Sequence, residues 1–151
     1  MRIYLDNCCL SRPFDDQKSM RIFLETEAKL FIQEQIKLGK LEIASSYILH
    51  FENMQCQLKI KRESVGEFLK LYSAIYIDIT FAEHVKAKAE KFISAGIKQK
   101  DAYHVASAIL AECDYFLTVD DRLIKHKVDE IIMMNPTDFI RILEANHDVK
   151  R

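Results

Sequence analysis

Ile3-Tyr4-Leu5-Asp6-Asn7-Cys8-Cys9 stands almost at the start of the chain, and its reading decides the fold. An apolar run of three ends in a carboxylate. That is a short strand with its chemistry at the C-terminal end, the edge where ligands bind in open parallel sheets. Asp6 is therefore the first candidate ligand of a divalent-metal site.

Working outward from this strand, Pro13 and two acids give residues 10–17 the character of a loop. A helix is predicted over 19–38, with Met20, Leu24, Phe31 and Leu38 as its core stripe. Ile22, Phe23, Leu30 and Ile36 widen that stripe beyond the need of a half-buried helix, which implies another helix layer or a subunit against it. Gly39 supplies the stop. A second strand covers 41–44, and Ser45 and Ser46 offer an N-cap for a helix from Tyr47, with Tyr47, Phe51, Met54 and Leu58 predicted to face the core. Lys59, Lys61 and Arg62 form a basic cluster at its end, before a helical stretch over 63–71 and an apolar strand over 74–79. Thr80 is placed to cap the next helix, whose core face is Phe81, Val85, Ala89 and Phe92 and which Gly96 ends.

Asp101 then opens a helix over 102–113 that is apolar on almost every side and hence central to the domain. A buried strand over 115–119 leads to Asp120-Asp121 and a short helix. The last strand is 131–134, and Asn135-Pro136-Thr137 starts the terminal helix. Strands alternating with helices predict an α/β fold with a mainly parallel sheet. Without repeat or linker, residues 1–151 read as one domain.

Composition narrows the class. Apolar residues make up 49% and charged ones 30%, as in a soluble globular protein. Lys plus Arg number 22 against 23 Asp plus Glu, so no basic tail advertises nucleic acid, and any such contact has to come from local patches. No segment reaches the ~18 apolar residues of a membrane span, and no signal-peptide pattern precedes the first strand. Cys8, Cys9, Cys56 and Cys113 form no CxxC pair and read as four reduced thiols in a cytoplasmic protein.

Three acids stand where strand gives way to loop or helix: Asp6, Asp101 and Asp120. Each taken singly also fits a turn or an N-cap, and periodicity alone makes Glu52 an ordinary flank residue of its helix. As a set they would repel one another unless a cation intervened. All-oxygen donors suit Mg²⁺ or Mn²⁺, and an ion of that kind activates water against a phosphodiester. The sequence holds no Gly-rich phosphate loop, no GxSxG elbow and no HExxH helix to suggest other chemistry.

Over roughly residues 2–134 the chain resembles the PIN-domain family, and within it the VapC-like ribonuclease toxins. The resemblance is carried in order by Tyr4-Leu5-Asp6-Asn7, by Ser46 with Glu52 six residues on, by Asp101-Ala-Tyr-His104-Val-Ala-Ser-Ala108, and by Thr118-Val119-Asp120 at a strand end. It implies a three-layer α/β/α fold and an acidic metal site of Asp6, Glu52, Asp101 and Asp120, with Thr118 as a hydroxyl beside them. Further implications are a Mg²⁺- or Mn²⁺-dependent cut in RNA, a protein antitoxin and a homodimer.

This chain departs from the family at Cys8, where a small hydroxyl or amide residue is common, and that departure leaves open a non-catalytic RNA- or protein-binding module. A metal-dependent phosphatase or DNA nuclease is a weaker alternative on the same acids. Asp121 is a candidate fifth acid or a helix-start charge. His104 shares the side of Asp101 and reads as a buried, satisfied histidine or as a partner of a site carboxylate. Arg12, Lys59, Lys61, Arg62, Lys98 and Lys100 are either phosphate contacts or solvated charge.

Overall fold

The computed structural model describes residues 1–149. Five strands, β1 (Arg2–Leu5), β2 (Glu42–Ser46), β3 (Ser73–Ile77), β4 (Tyr115–Leu117) and β5 (Ile132–Met134), form one all-parallel sheet in the order β3-β2-β1-β4-β5. Eight helices flank it: α1 (Asn7–Ser11), α2 (Met20–Lys37), α3 (Tyr47–Met54), α4 (Lys59–Tyr72), α5 (Ala82–Ser94), α6 (Gln99–Leu110), α7 (Asp121–Ile124) and α8 (Pro136–Val149). The fold is the α/β class that the alternating pattern predicts.

β1 is central because Ile3, Tyr4 and Leu5 are apolar without alternation, and all three are fully buried. A parallel strand covered on both faces requires that composition. The chain leaves β1 for β2 and β3 on one side and returns to β4 and β5 on the other, so the order reverses beside β1. Leu5 pairs with Leu117, which sets Asp6 next to Thr118 at that switch point. α6 is as central as its composition demands, with Ala102, Val105, Ala106 and Ala108 buried. No helix among the described residues is long and apolar enough to cross a membrane.

Two helices turn the other way from the sequence prediction. α2 buries Glu25, Thr26, Ala28, Lys29, Ile32 and Ile36, while Met20, Leu24, Phe31 and Leu38, the predicted core stripe, are exposed together with Phe23 and Leu30. Hydrophobicity loses here because the polar face has partners: Glu25 meets two arginines and an asparagine, and Thr26 Oγ1 donates to Arg12 O at 3.0 Å. α3 likewise faces inward with Leu49 and Asn53 and leaves Phe51 and Met54 outside. Asn53 Nδ2 donates to Arg62 O across to α4, and Leu58, also exposed, lies beyond the end of α3.

Other boundaries shift for local reasons. The segment after β1 winds into α1 rather than a loop, because Asp6 Oδ1 accepts the Asn7 N–H and caps the turn; a 3₁₀ turn over Arg12–Phe14 follows, with Pro13 in its first positions. α4 starts at Lys59, so the basic cluster occupies its first turn. Asp78, not Thr80, caps the turn before α5. α6 starts at Gln99, which moves Asp101 inside the first turn. At the end of α2, Gly39 takes φ 74°, and the amides of Gly39 and Lys40 reach back to Ile36 O and Gln35 O in a Schellman closure.

Candidate metal centre

Asp6 is buried where β1 meets α1. Its Oδ1 accepts the Asn7 N–H at 2.8 Å and its Oδ2 accepts the Thr118 hydroxyl at 2.9 Å. Thr118 Oγ1 in turn accepts the Asp120 N–H at 3.2 Å, so one fully buried hydroxyl ties the ends of β1 and β4 together. Asp120 is exposed and caps α7, its Oδ1 accepting the Arg122 N–H. The N-cap reading of that acid therefore holds, and its backbone amide is linked through Thr118 to Asp6.

Glu52 arrives from α3 and Asp101 from α6. Glu52 Oε1 lies 2.7 Å from His104 Nε2, and Lys100 Nζ lies 3.7 Å from Oε2. Burial alone would raise the Glu52 pKa, but the hydrogen bond from His104, with Lys100 behind it, holds it below the usual carboxylate value. Asp101 shows the opposite balance. Its half-buried carboxyl has no hydrogen bond or ion pair among the described residues, and burial, then the negative charges of Asp6 and Asp120, raise its pKa. Asp101 thus feels Asp6, Asp120 and Glu52 across the switch point, with Lys100 and His104 beside Glu52.

Behind Glu52 runs a buried chain that sequence reading did not assemble. Tyr4 Oη lies 2.7 Å from His104 Nδ1 and 2.7 Å from Ser46 Oγ, and Ser46 Oγ accepts the Leu49 N–H at the start of α3. Tyr4 stacks on Phe116 and meets the His104 ring edge-on; burial pushes its phenol pKa well up, which keeps it a proton donor. His104 is both things its spacing from Asp101 suggests, a buried histidine and a partner of a site carboxylate. Nothing in the sequence marks Tyr4, an aromatic in an apolar strand, as part of it.

Cys8 Sγ lies 3.4 Å from both Asp6 Oδ2 and Thr118 Oγ1 and accepts the Val119 N–H, putting sulfur against the acid. Two other candidates are occupied elsewhere. Asp121 is gripped by both guanidinium nitrogens of Arg21, and Arg12 is engaged by Glu25 and Asp15 rather than left for a phosphate.

The fold and site together define a parallel α/β sheet with converging carboxylates at its switch point. No protein-family model matches the chain, and no curated protein matches it significantly. Solved structures do. VapBC2 from Rickettsia felis, bound to a DNA fragment from its promoter, gives a TM-score of 0.55 at 15% identity, covering 89% of this chain and 98% of that one. FitAcB from Neisseria gonorrhoeae gives 0.50 at 16% identity, covering 89% and 97%. The likeness is one of fold.

Proposed function

We propose that the protein is a Mg²⁺- or Mn²⁺-dependent endoribonuclease, the toxin of a toxin–antitoxin pair. The observation that carries this reading is that Asp6 and Glu52 stand together while the charges of Asp6, Asp120 and Glu52 bear on Asp101, which has no countercharge hydrogen-bonded to it among the described residues. These four would hold the ion, and their oxygen donors suit a hard divalent cation. The grouping is tight: one oxygen each of Asp6 and Glu52 lie within 4.8 Å of each other and of a ring nitrogen of His104, which is itself hydrogen-bonded to Glu52. When bound, such an ion supplies an activated water and charge stabilisation at a phosphodiester.

The chain's own residues account for the rest. Thr118 fixes the orientation of Asp6 by donating to Oδ2. Lys100, exposed at the rim, offers a cation to a phosphate oxygen. Beside it a groove of about 630 Å³, lined by Tyr47, Phe51, Met54 and Tyr103 among others, offers ring faces to unstacked bases of a single strand. The toxin role draws on the resemblance to VapC-like toxins and on the fold shared with VapBC2. An antitoxin and a second copy of the chain are the protein partners, and the outward apolar stripe of α2 gives them a surface.

Cys8 favours a second reading, a non-catalytic PIN-like module for RNA or protein, because sulfur stands where a hydroxyl or amide would help place water. Cleavage of single-stranded RNA in the presence of Mn²⁺ by the wild type, lost in Asp101→Asn, supports the nuclease. No cleavage by purified, partner-free protein at millimolar Mn²⁺ overturns it and leaves the binding module.

A further inference from the structure

We propose that His104 is a positioning residue, held by Tyr4 in the tautomer that bears its proton on Nε2. In that state it pins Glu52 Oε1 and leaves Oε2 as the oxygen offered to a cation. The inference rests on the metal-site reading above for its consequence, but its tautomer can be tested without any metal.

The argument is a count of protons along a closed chain. Ser46, Tyr4 and His104 are at most 1% exposed, so water cannot complete their hydrogen bonds. Three arrangements fit the distances. In the first, the Leu49 N–H donates to Ser46 Oγ, the Ser46 hydroxyl to Tyr4 Oη, the Tyr4 hydroxyl to His104 Nδ1, and His104 Nε2–H to Glu52 Oε1. Every proton then has an acceptor. In the second, a doubly protonated His104 donates to Tyr4, and the Tyr4 hydroxyl turns to Ser46 Oγ. The Ser46 proton is then left buried with no acceptor, since Tyr4 and the Leu49 amide are its partners among the described residues. In the third, a neutral His104 with its proton on Nδ1 turns the bare Nε2 lone pair toward a carboxylate oxygen 2.7 Å away, which is repulsive. Only the first arrangement leaves nothing unpaired.

The chain also closes on itself. Ser46 caps α3 and Glu52 sits six residues later on the same helix, so Tyr4 from β1 and His104 from α6 brace both ends of one short segment. Glu52 Oε1 is committed to this brace at 2.7 Å. Among the described residues Oε2 meets only the Lys100 ammonium at 3.7 Å, beyond hydrogen-bond length, on a side chain that is mostly in solvent.

The test has two arms on the full chain. Nitrogen-15 NMR of the metal-free wild type should show a His104 ring protonated at Nε2 and bare at Nδ1; a proton on Nδ1 overturns the proposal. In the second arm, calorimetric titration with Mn²⁺ compares variants below their melting temperatures. Tyr4→Phe removes only the hydroxyl that fixes the tautomer and should weaken Mn²⁺ about tenfold. His104→Leu should weaken it at least as much, whereas His104→Gln, which keeps a donor near the Nε2 position, should stay close to wild type. Affinity unchanged in Tyr4→Phe, or lost equally in the Gln and Leu variants as for a direct metal ligand, overturns the positioning role. A wild type that binds no Mn²⁺ removes the metal-site reading instead, and the tautomer arm still decides the arrangement of the brace.

Discussion

The buried carboxylate on α2 and the carboxylates at the sheet's switch point are treated by the fold in opposite ways. Glu25 is buried to 2% exposure yet fully answered: Arg12 Nε at 2.9 Å, Arg21 Nε at 3.1 Å and Asn135 Nδ2 at 2.6 Å take up its oxygens. Asp6, Glu52, Asp101 and Asp120 are gathered with a hydroxyl, a histidine and one exposed lysine, and Asp101 has no protein partner for its carboxyl among the described residues. An acid that serves the fold is given its countercharge by the chain. On the function proposed above, acids left to repel one another at a sheet's switch point take their countercharge from outside the chain.

The largest effect that separates the two sets is on stability. Arg12→Met takes one guanidinium from buried Glu25 and should cost about 3 kcal/mol, read as a lower urea midpoint with an unchanged slope. A loss comparable to a surface substitution would mean Glu25 is not the hub it resembles.

A smaller effect concerns Lys29, one turn on from Glu25 and also buried, which hydrogen-bonds Gln33 and lies over the Phe68 ring but has no carboxylate partner among the described residues. Burial lowers its pKa to about 8. The folded state therefore releases this proton before the unfolded state does. Stability should rise as pH climbs from that value to about 10, by on the order of 2 kcal/mol. Chemical denaturation of wild type against Lys29→Met across that window checks it, and equal slopes would refute it.

Asp101→Asn tests the unanswered set. A carboxyl whose folded pKa is raised stabilises the fold below its unfolded pKa and loses that contribution as pH rises through the folded value. At neutral pH the amide should therefore make the metal-free protein slightly more stable, by on the order of half a kcal/mol after solvent screening. A destabilised Asn variant would show that Asp101 serves the fold. Smallest of all, Leu24→Glu on the outer face of α2 should change monomer stability by no more than about 0.5 kcal/mol, while reducing self-association in sedimentation.

How much of this was legible beforehand follows from the same contrast. Strand and helix order, the Ser46 cap, the Gly39 stop and the central α6 were readable because each depends on local chemistry or on one-sided hydrophobic pattern. The orientation of α2 and α3 was not. Glu25 and Thr26 face inward because Arg12 and Asn135 reach them from outside the helix, and such partners leave no local trace; Arg21, one turn before Glu25 on the same helix, completes the set. Asp6 and Asp120 were legible as strand-end residues and Asp101 as a helix-start acid, with Glu52 promoted only by family likeness. What holds Glu52, the Tyr4–His104 brace, spans a hundred residues and was beyond periodicity.

The most direct measurement is the melting temperature with and without Mn²⁺, in wild type and in Asp6→Asn. If the acids await a cation, metal at about a hundred times its dissociation constant should stabilise wild type by about 2.7 kcal/mol, a rise of roughly 5–10 °C for a chain of this size, and should leave Asp6→Asn nearly unmoved. No rise in wild type, or an equal rise in both, contradicts the account.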